Sequence, residues 1–138
     1  MTGTRWLAVS AGAVALGALA SGVATANGAT KVAASLNAAQ EVPTPSGASA
    51  RAGGTFTGTI SEGSNPRLTW RLSFRGLTGP ALQAHVHTGR PGVAGPVVVP
   101  LCGPCTPGTT GSAPISAALR RALVDGTAYV TVHTERNG

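Results

Sequence analysis

Leu68-Thr69-Trp70-Arg71-Leu72-Ser73-Phe74-Arg75 decides the fold class, because it alternates without a break. Successive side chains of a strand point to opposite faces. Leu68, Trp70, Leu72 and Phe74 therefore share a face that must be buried, while Thr69, Arg71, Ser73 and Arg75 share one that meets water.

Upstream, Gly54 to Ile60 sets Thr55, Thr57 and Thr59 against Phe56, Gly58 and Ile60, and the turn formers Ser61 to Pro66 close a hairpin onto the first strand. Thr30 to Asn37 reads as another strand, with Val32, Ala34 and Leu36 on one face. Between them, Gln40 to Gly47 holds two prolines and a glycine and reads as a loop.

Downstream, Gly76 to Pro80 is a turn. Leu82 to Thr88 follows as a strand, with Leu82, Ala84 and Val86 on one face and Gln83, His85 and His87 on the other. Gly89 to Gly95 is a loop, and the β-branched run Pro96 to Leu101 predicts a strand buried on both faces. After Cys102-Gly103-Pro104-Cys105 a further loop runs to Gly111. Ser116 to Val124 is the one helical candidate: Ile115, Leu119 and Leu123 recur at four-residue spacing, Ser116 caps the start and Asp125-Gly126 ends it. The last strand, Thr127 to Thr134, puts Ala128, Val130 and Val132 opposite Tyr129, Thr131 and His133. About seven short strands and one helix predict a mostly β chain folded as an antiparallel two-sheet β-sandwich.

Composition agrees. The 138 residues hold 20 Gly and 10 Pro, with 4% aromatic and 10% charged side chains, which suits many short strands around one core. At the N-terminus, Arg5, the apolar run Trp6 to Ala20 and Ala24-Thr25-Ala26 fit a cleaved export signal over residues 1–26. The competing reading is an uncleaved anchor, since no charge falls between Arg5 and Lys31, but the second half of that uncharged stretch carries Ser, Gly, Thr and Asn rather than Leu or Ile. No other stretch is long and apolar enough to span a bilayer. The expectation is a secreted or extracytoplasmic domain over residues 27–138.

The net charge of +6 is carried by scattered residues, without a basic run or interleaved aromatics. That argues against nucleic acid as partner and leaves an unidentified protein or an anionic envelope polymer. Four acidic residues, no Gly-x-Ser-x-Gly elbow and no phosphate loop argue against a hydrolase, so no catalytic residue is assigned and an enzyme is not expected.

Two features carry chemistry. His85 and His87, two apart on a strand, project from one face roughly 6.5–7 Å apart along the backbone, and His133 lies on the polar face of its own strand. If the strands are neighbours, three imidazoles converge on a site suited to copper or zinc. The alternative is structural, with the histidines hydrogen-bonded to the Gly89 to Gly95 loop. Cys102 and Cys105 have the spacing of a thioredoxin motif, but Thr106-Pro107-Gly108 forbids the helix that motif opens. In an exported protein the pair predicts a local disulfide, with a thiolate pair joining the histidines around a metal as the alternative.

Gln40-Glu41-Val42-Pro43, Ala84-His85-Val86-His87-Thr88-Gly89 with Gly95-Pro96-Val97-Val98-Val99, and Gly126 through Thr134 together resemble the CHRD domain, the chordin-type module found in exported bacterial proteins. The resemblance implies a β-sandwich outside the cytoplasm and little about activity; the expected role is that of a module acting by binding or structural interaction at the envelope or outside the cell. It also implies a closing strand beyond Asn137-Gly138, so the domain is expected to be C-terminally incomplete and to leave a sheet edge open. The His-x-His pair is similar to the copper ligands of copper/zinc superoxide dismutase, also a β-sandwich, although the further histidines and bridging aspartate of that enzyme have no counterparts here.

Overall fold

A computed structural model describes residues 7–10, 28–40, 51–90 and 93–136. In chain order the elements are β1 (Leu7–Ser10), β2 (Thr30–Asn37), a 3-10 turn (Ala38–Gln40), β3 (Gly53–Ile60), β4 (Arg67–Arg75), β5 (Ala81–Thr88), β6 (Val97–Cys102), β7 (Thr109–Pro114), α1 (Ala117–Asp125) and β8 (Ala128–Thr134). They form two antiparallel sheets of order β1-β8-β5-β6 and β2-β3-β4-β7. Apart from Leu7–Ser10, the expected export signal lies outside the described residues, as do Glu41-Val42-Pro43 and the last two residues.

The sheets meet through the apolar parities read from the sequence. Leu68, Trp70 and Leu72 of β4, with Phe56 and Ile60 of β3, are buried against Ala84 and Val86 of β5 and Val130 and Val132 of β8. Ile60, Leu68 and Leu72 lose all exposure, and each contributes about 1.5–3 kcal/mol by leaving water. Phe74 stays partly buried at the margin.

The helix forms as its caps dictate. Ser116 Oγ accepts from the Leu119 backbone N–H at 3.0 Å, and Gly126 closes the far end at φ 74°. Leu119 and Leu123 enter the core, while Arg120 reaches Glu62 at 2.9 Å.

Three expectations are corrected. The stretch read as a loop to Gly111 contains β7, which pairs with β4 from Arg67↔Pro114 to Leu72↔Thr109. Its Gly111 is required by packing: a Cβ there would collide with the Trp70 ring. The run predicted to be buried on both faces is the edge strand β6, with Val97 46% and Val98 39% exposed. An edge strand has a neighbour on one side only, and here one of its faces also meets water. Leu82 was expected on the core face but is 46% exposed, and Ala81 is buried in its place. A register irregularity between Ala81 and Gln83 moves the alternation by one residue.

Candidate metal centre

The strand order β8-β5-β6 brings the three histidines to one place. In the β5–β8 register His85 stands opposite Thr131, His87 opposite Tyr129 and Gln83 opposite His133. Directly paired and diagonal side chains on one face of an antiparallel pair are within reach of each other, so His133 falls diagonally onto His85. Their ring centroids are 5.0 Å apart, and His85 Nδ1 lies 3.2 Å from His133 Nε2. His87 stands 5.9 Å from His85, centroid to centroid. One ligand atom from each of the three lies within 4.8 Å of the others.

This face was expected to be polar, and it is, but much of it is shielded from water. His87 and His133 are buried, Thr131 is fully so, and His85 is only half-buried. His85 therefore forms the mouth of the cluster. Gly95 holds the neighbouring loop down on it: its backbone N–H donates to Tyr129 Oη at 2.7 Å, and its carbonyl is 2.8 Å from His87 Nδ1. The Tyr129 ring stacks on His87 at 5.0 Å and 11°.

These bonds fix the protons. A carbonyl only accepts, so His87 Nδ1 carries hydrogen and its Nε2 presents a lone pair. Thr131 Oγ1, 3.0 Å away, donates to that lone pair. With its one proton committed, Thr131 Oγ1 accepts from His133 Nε2 at 3.1 Å. His133 Nε2–H consequently points into the cluster and is shared with His85 Nδ1. With the three rings neutral, each of these bonds has a donor and an acceptor.

Electrostatics favour that neutral state. Burial, assisted by the charges that His85 and His87 would carry, lowers the His133 pKa to about 4. Burial, then the nearby His87, lowers that of His85. Burial lowers that of His87 against the opposing hydrogen bond to Gly95. A neutral imidazole is the form that binds a metal.

Tetrahedral bonds of about 2.0–2.1 Å place neighbouring ligand nitrogens about 3.3 Å apart. The His85–His133 pair, at 3.2 Å, already stands at that separation. His87 Nε2, whose lone pair accepts from Thr131 Oγ1, would have to exchange that bond and close in from within 4.8 Å, while its opposite nitrogen is held by the Gly95 carbonyl. An outer partner of that kind is how proteins orient a metal-bound imidazole.

All three predicted histidines are thus brought together. The two cysteines are not part of the cluster: Cys102 and Cys105 form a disulfide with Cα atoms 5.2 Å apart, which removes the thiolate alternative. The bond sits where β6 ends, and the Cys105 N–H is fastened to the Ala81 carbonyl at 3.0 Å. The bond of His87 to Gly95 is the one that the structural alternative expected from the Gly89 to Gly95 loop, whereas Thr131 and Tyr129 had been given no role. Both were within reach, because they share the parity of His133 along one strand.

The model of the CHRD domain family matches residues 32–138, which include every residue of this cluster. Searches of curated proteins and of solved structures found no match. The chain belongs to the CHRD domain family.

Proposed function

We propose that this domain is an extracytoplasmic binding module that takes up a copper or zinc ion on His85, His87 and His133. The observation that carries the reading is the convergence of three imidazoles, with nitrogens of His85 and His133 at 3.2 Å and ligand atoms of all three within 4.8 Å. An all-nitrogen set without a carboxylate suits copper or zinc better than calcium or magnesium, which prefer oxygen. The Cys102–Cys105 disulfide supports an oxidising compartment, in keeping with a removable leader over residues 1–26. Binding requires that the His133 proton move from Nε2 to Nδ1, which frees that lone pair, and that Thr131 Oγ1 release the His87 Nε2 lone pair to which it donates.

A second reading has its own observation. His87 Nδ1 and Tyr129 Oη both hold Gly95, so the histidines also serve to fasten the loop after β5, and the module then acts through that loop in structural interaction at the envelope. Metal analysis of the protein recovered from its export compartment, beside a His85→Ala variant, separates the two. Among the described residues His85 bonds to His133 and not to the loop, so its loss should leave the loop in place and lower bound metal several-fold. Equal metal in both proteins would overturn the metal reading.

A further inference from the structure

The sheet β2-β3-β4-β7 turns its other face away from the core and the histidines. Its register lays the outward side chains in rows. Lys31, Thr59, Thr69 and Ser112 form one row across the four strands. Ala33, Thr57, Arg71 and Thr110 form the next, and Ser35, Thr55 and Ser73 a third. Arg67 and Arg75 extend the Arg71 file along β4 in both directions, each about 13 Å from Arg71 at strand spacing. All four cations are exposed.

The chemistry of this face is narrow. It combines cations with short hydroxyls and carries no carboxylate among the described residues. Glu62, in the adjoining turn, is engaged by Arg120 at 2.9 Å. Among the described residues no aromatic ring is presented there, since Trp70 and Phe56 face the core and Phe74 packs against it. Base stacking, on which unpaired nucleic acid depends, is thus unavailable, and so is an apolar wedge for a membrane. Guanidinium groups match carboxylates in two-pronged fashion, and rows of Thr and Ser offer hydrogen bonds to sugar hydroxyls. We infer that the outer face of β2-β3-β4-β7 is a docking surface for a linear acidic polysaccharide, with Lys31, Arg67, Arg71 and Arg75 meeting its carboxylates. The surface is independent of the metal centre, on the other sheet.

The test uses the exported protein on immobilised polygalacturonate at low salt. Retention should be lost progressively as salt rises. Arg71→Gln and Arg75→Gln should each weaken binding about two- to fivefold, the range for exposed charge pairs, and the combined variant at least about fourfold. Arg121→Gln, which removes an exposed cation on α1, should change nothing, and unfolding midpoints should confirm that every variant is folded. Thr57→Val keeps the charge and should still weaken retention. Four results would overturn the inference: no retention at low salt, an Arg121→Gln loss equal to that of Arg71→Gln, equal retention on the methyl-esterified neutral polymer, or tighter binding to single-stranded DNA or anionic vesicles.

Discussion

Acidification should unfold this domain through its histidines, and His133 sets the scale. Its pKa is lowered to about 4 in the folded chain, against about 6.5 in an unfolded one. Above pH 6.5 the ring is neutral in both states and has no effect on the balance. Between 6.5 and 4 the unfolded chain binds a proton that the folded chain refuses, so stability falls with falling pH, and the loss levels off below 4. A difference of that size corresponds to about 2–3 kcal/mol once some screening by solvent is allowed for. His85 and His87 are shifted the same way and add to the slope. Urea unfolding at pH 7, 5.5 and 4 without metal should therefore show the midpoint dropping by about 1–2 M, given a dependence of about 1–3 kcal/mol per molar urea. A His133→Asn variant should flatten the profile. An unchanged midpoint from pH 7 to 4, or the same drop in the variant, would refute the assignment of a buried neutral His133.

Tyr129→Phe removes the acceptor of the Gly95 N–H and should cost about 1–3 kcal/mol, the range for a partly buried donor left unpaired; thermal unfolding checks it. Ser116→Ala removes the α1 cap and should cost about 1 kcal/mol, read as a lower urea midpoint. Paired Cys102→Ser and Cys105→Ser changes open only a four-residue loop, so the loss should stay near 2 kcal/mol or less on loop entropy and the histidine cluster should persist; a protein that fails to fold would show a larger role for the bond.

How far the sequence carried depended on whether the signal was local. β4 and α1 were legible because alternation and capping are written in adjacent residues: Leu68 through Phe74 in one case, Ser116, Leu119, Leu123 and Gly126 in the other. β7 was not, because Thr-Thr-Gly-Ser-Ala-Pro has little apolar alternation and is a strand only because β4 offers it an edge. Leu82 was misplaced because a register irregularity leaves no mark in the alternation pattern. The run through Val97 and Val98 could not reveal whether it lay at the edge or the centre of a sheet. The parity of His85, His87 and His133 was readable, but their meeting depended on β8 lying beside β5, a pairing across some fifty residues that no local pattern specifies. Thr131, at the centre of the cluster, is an ordinary strand residue until its neighbours are known.

The central claim is that His85, His87 and His133 hold one metal ion between them. Anomalous diffraction from crystals grown with zinc, recorded on both sides of the zinc edge, tests it most directly. A single anomalous peak is expected, with bonds of about 2.0–2.1 Å to one nitrogen of each ring and with the Gly95 carbonyl still bonded to His87 Nδ1. Zinc bound elsewhere, or a cluster still closed by the His133 to Thr131 hydrogen bond with no peak beside it, would contradict it.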